Sequence, residues 1–425
     1  MFISLITESK KCVNYKKSYL SGDISAGIIV AVLFIPQSMA YAIIAGVPVQ
    51  LGLYAGTLPL IVYTLFGSSK FLSVGPVSIV SLIAFSGISG IAEPGSAHFV
   101  ELIILLGLMV GFIHLIMSFF KVGDFFDFIS PSVINGFISA AAIIIIVNQL
   151  KSLLGISLPE YRNFFQYVMD VIVKLPQVNP YTLTIGLVSV FILVLLKKCT
   201  PRSPGPLLVV LVSIFLVGVF DLHKMGVDIV GEIPKGLPKL KINLPSLYTI
   251  QLLFPTALII AFISFLESYA VVKSFNNREK EPINTNKELL GLGLANIASS
   301  FTGSIPVAGA LSRTAVNYQS GAKSRLALLL TASFIVISLL YLTPLFYFLP
   351  KASLAAIIMV AVSSLVKFKQ NSLNHAPGEL FIFLATFIST LMLDIFWGLL
   401  IGIIFSILLS QIRKALYYTA YKSSK

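Results

Sequence analysis

The stretch SIPVAGALSRTAVN, residues 304–317, decides how the chain folds, because it interrupts a sequence made of long apolar runs. Pro306, Gly309 and the small residues around them break the chain, and a short polar helix is predicted over residues 311–320. Arg313 lies in this helix, and a charged side chain inside a membrane segment indicates a functional site. The alternative is that the segment lies outside the membrane, with Arg313 in water. Ser312 is predicted to cap the helix or to face a ligand with its hydroxyl.

The apolar runs on both sides of this stretch predict an all-α membrane protein. Of the 425 residues, 57% are hydrophobic and 11% are charged, whereas soluble domains carry roughly 25% charged residues. A helix needs about 20 apolar residues to cross the hydrocarbon, so the length accommodates about fourteen membrane segments. We predict them at residues 24–45, 50–66, 76–91, 99–120, 131–153, 181–196, 205–220, 251–272, 288–303, 311–320, 326–343, 352–366, 378–393 and 395–412.

Two of these segments, the third and the tenth, are unusual. They hold corresponding positions, because each is the third segment in its half of seven. The third begins in the pair Gly75-Pro76, and the tenth is the short stretch around Arg313. Interrupted segments at corresponding positions of two halves point to the binding site of a transporter built on inverted repeats. We therefore predict a transporter domain over residues 21–416, with two inverted repeats of about seven segments each. The repeats cover approximately residues 21–222 and 250–416, and tails are predicted at 1–20 and 417–425.

The net charge of +13 does not indicate a nucleic-acid partner, because the Lys and Arg residues lie between the apolar runs. Most of them fall in the tails and in alternate loops on the side that holds both termini. The positive-inside rule therefore predicts a multi-pass protein of the cell inner membrane with both termini in the cytoplasm. The long loop 221–250 is the exception to this pattern. The two cysteines, Cys12 and Cys199, predict neither a disulfide framework nor a metal cluster.

The first predicted segment contains the stretch PQSMAYA, residues 36–42. Pro36 removes a backbone hydrogen bond and is expected to kink or break the helix. Gln37 and Tyr41 are four residues apart, so they share a helix face and offer amide and hydroxyl donors to a ligand. The alternative is a kink in mid-helix whose polar groups are satisfied by neighbouring helices.

The third predicted segment begins with the stretch SVGPVSIVS, residues 73–81. Pro76 is well placed to start a helix. A helix that starts at mid-membrane depth directs its free N–H groups and its positive dipole end at a cavity, which makes an anion site without a charged side chain. The alternative is an ordinary junction between loop and helix at the surface.

Glu267, in the eighth predicted segment, is the acidic residue that we expect to act with Arg313. It is predicted to pair with the guanidinium or to bind a coupled cation or proton. The alternative is a carboxylate near the cytoplasmic interface.

Taken together, these stretches resemble the SulP (sulfate permease) family of anion transporters. The resemblance rests on residues 36–42 and on the ordered motifs AGVP (45–48), GLY (52–54), FGSS (66–69), VGP (74–76), GLAN (293–296) and SRTAVN (312–317). It implies a core domain and a gate domain, with the anion bound between half-helices at segments three and ten. Transport would follow an elevator-like movement, commonly in a homodimer. The matching anion-site positions are Gln37, Tyr41, Val77, Ser78, Leu311, Ser312 and Arg313, with Glu267 for coupling or counter-charge.

The chain departs from the family pattern in two places. Typical members carry a STAS domain after the last membrane segment, whereas this sequence ends shortly after it. We therefore expect either a member without a STAS domain or a truncated sequence. Some bacterial relatives have Glu where Gln37 stands, and because an amide does not titrate, proton coupling through this position is not expected.

The predicted function is secondary transport of sulfate or a similar oxyanion, by proton or sodium symport or by exchange, without a cofactor or a metal. Bicarbonate and chloride are the nearest rivals as substrates. An anion channel or voltage-responsive protein and an organic-anion permease are alternatives of other classes. An enzyme is not expected, because the sequence has no HExxH motif, no paired catalytic carboxylates and no nucleotide-binding Gly-rich loop.

Overall fold

The computed structural model describes residues 16–123, 130–159, 163–199, 205–233, 236, 246–279, 284–363, 366, 377–393 and 397–409. The predicted C-terminal tail, most of the N-terminal tail and Cys12 lie outside these residues. The described chain is largely helical. The helices are α1 Leu20–Ile44, α2 Val49–Tyr54, α3 Leu58–Phe66, α4 Ser78–Ser89, α5 Ala97–Phe119, α6 Pro131–Leu154, α7 Phe164–Lys174, α8 Pro180–Cys199, α9 Gly205–Val219, α10 Leu247–Glu279, α11 Thr285–Phe301, α12 Leu311–Gln319, α13 Leu326–Ile337, α14 Lys351–Ser363, α15 Pro377–Met392 and α16 Trp397–Leu409. Two strands, β1 Val74–Gly75 and β2 Ala308–Gly309, complete the list.

The described part of the chain contains seven helices that are long and apolar enough to cross a membrane, and five shorter apolar helices. Each predicted segment contains a helix, and the second is divided into α2 and α3. The number of membrane crossings and the inverted repeats stay predictions. Helix α7 was not predicted, because it is short and polar residues at every fourth position interrupt its apolar sequence.

Of the predicted kink or break at Pro36, the break is wrong, because helix α1 continues through Pro36, and the kink stays a prediction. A proline inside a membrane helix is tolerated where neighbouring helices and hydroxyl side chains satisfy the backbone groups that it frees. Pro36 is buried, so neighbouring helices cover the backbone at this position.

The membrane helices pack as two groups that contact each other. In the first group, α11 contacts α3 and α5, α13 contacts α1, and α10 contacts α4 and α5. In the second group, α6 contacts α14 and α15, and α14 contacts α8. The two groups meet where α1 contacts α14 and where α4 contacts α6.

Glycines bring several of these helices close together. A Cβ atom at Gly52 would lie 2.0 Å from the Ser38 carbonyl oxygen, and one at Gly111 would lie 2.8 Å from the Gly293 carbonyl oxygen. Such distances leave no room for any side chain larger than hydrogen.

Helix α11 is fixed at its start by a buried carboxylate. Glu288 accepts hydrogen bonds from the Tyr63 hydroxyl at 2.7 Å, from the Ser68 N–H at 3.2 Å and from the Ser68 hydroxyl. These bonds join α11 to the end of α3 and hold the segment that leads into β1.

Candidate functional site

The two interrupted segments of the sequence meet in a short antiparallel strand pair. Val74 lies opposite Gly309, and Gly75 lies opposite Ala308. The pairing continues beyond the strands, because the Ala310 N–H donates to the Ser73 carbonyl at 3.1 Å. The structure therefore brings the third and the tenth predicted segments together across more than half the length of the chain.

Side chains from neighbouring helices hold the second strand in place. The Gly309 N–H donates to Ser268 Oγ on α10 at 2.8 Å. Asn296 on α11 accepts from the Val307 N–H at 2.9 Å and donates to the Val307 carbonyl at 3.0 Å. These bonds replace the sheet neighbours that an isolated two-residue strand lacks, and they fix where α12 begins.

A helix follows each strand, and neither helix is capped by a side chain. Val77 precedes α4 and Ala310 precedes α12, and neither side chain accepts a hydrogen bond from the helix. Ser312 is the second residue of α12 and not its cap, so that part of the prediction is wrong. The reason is that the extended backbone of Ala310, bonded to β1, sets the helix start. The first-turn N–H groups of α4 and α12 are therefore available to another acceptor.

Arg313 is fully buried within this junction, so the alternative that placed it in water is wrong. Its Nη2 donates to the Pro76 carbonyl, just before α4, at 2.9 Å. Its guanidinium carbon lies 4.7 Å from the centre of the Phe34 ring. Nε and Nη1 have no hydrogen-bond partner. A guanidinium held at one nitrogen and against an aromatic face keeps its remaining donors oriented for a ligand.

Gly75 makes the room in which this guanidinium and its aromatic neighbour lie. A Cβ atom at Gly75 would be 2.5 Å from Phe34 Cε2 and 3.0 Å from Arg313 Nη2. The glycine of the motif Val74-Gly75-Pro76 is thus required by the packing around Arg313.

The other predicted anion-site residues fall into two sets. Gln37 and Tyr41 on α1 are buried, as are Val77 and Ser78 at the start of α4. Leu311 and Ser312, at the start of α12, are exposed on the described surface. Helix α1 contacts both α4 and α12, so all of these residues lie on elements that meet at the strand pair.

Two polar groups from α1 and α10 lie near the guanidinium. The Tyr41 hydroxyl, the Glu267 carboxyl and Arg313 are close enough to interact electrostatically. Gln37 Oε1 is buried and has no hydrogen-bond partner. The predicted polar face of α1 is therefore formed, and no described neighbouring helix donates a hydrogen bond to Gln37 Oε1.

Glu267 is buried on α10 and does not form the ion pair that the sequence suggested. No ion pair joins it to Arg313 among the described residues, because the guanidinium is turned towards Pro76. Its Oε2 has no hydrogen-bond partner. The carboxyl lines a small cavity whose other lining residues are all apolar, namely Ile79, Ile134, Phe137, Ile138, Ile263, Leu266 and Leu399.

Sequence reasoning missed the residues that support the site. Phe34 is one of 32 phenylalanines, and nothing in its spacing marks it. Thr314 and Ser268 lie inside stretches that the sequence singled out, and the Thr314 hydroxyl accepts from the Ser73 N–H at 3.1 Å. Thr314 lies close to the predicted chain break at Gly309, and this signal could have identified it, whereas Ser268 lies inside a continuous predicted helix and carries no such signal.

A family profile described as the sulfate permease family matches residues 20–386 of the chain. Among the curated relatives, the chain is 37% identical over 399 residues to the probable sulfate transporter 4.2 of Arabidopsis thaliana, covering 92% of this chain and 58% of the relative. It is 35% identical over 378 residues to the sodium-independent sulfate anion transporter of Bos taurus, covering 81% of this chain and 61% of the relative. The chain thus spans little more than half the length of these proteins.

Solved structures share the architecture. The murine Solute Carrier 26 family member A9 anion transporter in the inward-facing state superposes with a TM-score of 0.88 at 25% identity, covering 95% of this chain and 70% of that one. The transmembrane domain of the cyanobacterium bicarbonate transporter BicA superposes with a TM-score of 0.79 at 22% identity, covering 90% of this chain and 98% of that one. The second likeness concerns the fold alone.

Proposed function

Because the chain belongs to the sulfate permease family, we propose that it is a secondary active transporter of small inorganic anions whose substrate is sulfate. Membrane-spanning helices and the family together make it a multi-pass membrane protein. The names of the curated relatives favour sulfate, whereas the bicarbonate transporter BicA shares only the fold. Bicarbonate and chloride are therefore the competing substrates that the experiment must separate.

The observation that carries this proposal is the buried guanidinium of Arg313 between two uncapped helix starts. Each helix N-terminus contributes roughly half a positive charge, so α4, α12 and Arg313 together provide about two. This matches the double negative charge of sulfate. The donors would be the free Nε and Nη1 of Arg313 and the first-turn N–H groups beside Val77, Ser78, Leu311 and Ser312. Gln37 and Tyr41 would complete the shell from α1.

The proposed movement is an elevator-like displacement of one helix group against the other. The site lies wholly on α1, α4, α10 and α12 of the first group, so the anion would travel with that group. The apolar cavity beside Glu267 lies at the contact between α4, α10 and the second group, where such a displacement would occur. The third and tenth segments each consist of a short strand followed by a short helix, which supports two inverted repeats of about seven segments.

The membrane location, the orientation of the termini and the oligomeric state are also part of the proposal. We place it in the inner membrane with both termini in the cytoplasm, on the distribution of Lys and Arg between the loops. A homodimer is proposed from the family resemblance.

We assign coupling to Glu267, through a proton or a sodium ion. A carboxyl that is buried in an apolar cavity with a free oxygen avoids the cost of its charge by binding a proton or a cation. Gln37 has no such capacity, so α1 would contribute to anion binding and not to coupling.

Uptake of radiolabelled sulfate into proteoliposomes tests the proposal. The purified protein is given an imposed proton or sodium gradient, with bicarbonate or chloride as competitor. Saturable, gradient-driven sulfate uptake is the expected result. Flux restricted to bicarbonate or chloride would overturn the substrate, and flux that is neither saturable nor coupled would indicate a channel.

A further inference from the structure

Helix α7 lies in the connection between α6 and α8, two helices that are long and apolar enough to cross a membrane. Its eleven residues span about 16 Å, which is too short to cross a hydrocarbon core of about 30 Å. The Asn179 N–H, before α8, donates to the carbonyl of Leu154, the last residue of α6, at 3.1 Å. Lys174 Nζ donates to the Ser157 carbonyl at 2.8 Å and ties the end of α7 to the same place.

Three different faces run along α7. Tyr167 and Val171 are buried, on a helix that contacts α6 and α15. Gln166, Asp170 and Lys174, four residues apart, form a polar face. Between these two lies an apolar face that is open on the described surface, with exposed fractions of 57% at Phe165, 59% at Met169, 52% at Ile172 and 71% at Val173.

Helix α7 is capped by a residue of its own chain segment. The Asn163 side chain accepts a hydrogen bond from the Gln166 N–H at 2.8 Å and caps the helix. The polar face and the open apolar face are therefore held in fixed directions relative to the membrane helices.

We propose that α7 is a membrane-surface helix whose open apolar face lies in the boundary between the headgroups and the acyl chains of the bilayer. An amphipathic helix in this position buries its apolar side about 5–10 Å into that boundary and keeps its polar side in water. The apolar face also lies beside an exposed apolar surface on a neighbouring apolar helix. Helix α15, which α7 contacts, exposes Phe381 and Ile388. The partner surface is lipid, and the proposal is independent of the transported anion.

Fluorescence of a single tryptophan tests this placement. The sequence contains one tryptophan, Trp397, so Trp397→Phe provides a silent background. Phe165→Trp then reports on the open apolar face, and Gln166→Trp, about 100° around the helix on the polar face, is the matched control. In proteoliposomes, lipids brominated close to the headgroup should quench the fluorescence of the tryptophan on the apolar face more than deeply brominated lipids do. The control should be quenched by aqueous iodide and little by either lipid.

Nitroxide labels provide a second measurement with a smaller side chain. After replacement of Cys12 and Cys199 by serine, a label at Met169 should collide readily with oxygen and rarely with an aqueous nickel complex. Equal access to the nickel complex at Met169 and Gln166 would mean that the face lies in water. Low access of both reagents to Met169 would mean that protein, such as a second copy of the chain, covers it. Either result would overturn the lipid assignment.

Discussion

Replacing Arg313 by alanine should weaken anion binding by several orders of magnitude and leave the fold intact. Two guanidinium nitrogens, Nε and Nη1, have no hydrogen-bond partner among the residues that the structure describes. A hydrogen bond to a charged group contributes about 1.5–3 kcal/mol, so two such bonds to a bound anion contribute about 3–6 kcal/mol. Since about 1.4 kcal/mol corresponds to a factor of ten, the KM should rise about 100- to 10 000-fold.

The same substitution should cost the protein little stability. Arg313→Ala removes the stem contacts and the bond to the Pro76 carbonyl, but it also removes a buried charge that forms no direct ion pair among the described residues. Such a charge is expensive to keep away from water. We therefore expect normal membrane insertion and a thermal transition in detergent close to that of the parent protein.

Initial rates of sulfate uptake into proteoliposomes, measured over a wide range of sulfate concentrations, give the KM. Arg313→Lys should fall between the parent and the alanine variant, because an ammonium keeps the charge but not the planar fork of donors. Lys224→Ala, at an exposed lysine paired with Asp221, should leave uptake unchanged and serves as the control. A parental KM in a correctly inserted Arg313→Ala protein would refute the assignment of Arg313 to the site.

Three further substitutions test the surroundings of the site. Glu267→Gln should change the pH or sodium dependence of uptake more than the thermal transition, and identical profiles for variant and parent would remove this residue from coupling. Gly75→Ala should lower the apparent affinity, because the new Cβ lies 2.5 Å from the Phe34 ring that packs on the guanidinium; Gly90→Ala, with nothing within 4 Å, is the control for both KM and expression. Glu288→Ala should destabilise the protein by about 2–4 kcal/mol, because the buried Tyr63 hydroxyl and both donors of the partly buried Ser68 lose their acceptor; an unaltered denaturation midpoint in detergent would contradict this.

The positions of the membrane helices could be predicted because bilayer thickness imposes a minimum length on each apolar run. The positions of α4 and α12 followed from Pro76, Pro306 and Gly309, which end one element and allow another to begin. The pairing of β1 with β2 could not be predicted, since a two-residue strand has no periodicity and its partner is distant in sequence. Helix α7 escaped prediction for a related reason, because eleven residues with a polar face produce no hydropathy signal.

Within the site, the sequence identified charges and hydroxyls but not their geometry. Arg313 stood out because a charge in an apolar segment is rare. Its expected ion pair with Glu267 was wrong, because opposite signs indicate attraction and do not determine which atom a guanidinium contacts. Its actual neighbours are a backbone carbonyl and an aromatic ring, and neither is distinguishable from its many equivalents in a sequence of this composition.

The structure also explains how a junction with so many unsatisfied groups can persist. A buried guanidinium with two free nitrogens, a buried Gln37 oxygen and two uncapped helices each raise the free energy of the folded chain. The shell around them is, by contrast, closely bonded: Asn296 holds Val307 through two hydrogen bonds, and Ser268 holds Gly309. Proteins break local rules at functional sites and compensate for them elsewhere. The contrast between a satisfied shell and an unsatisfied centre therefore marks the centre as the place where a ligand supplies the missing contacts.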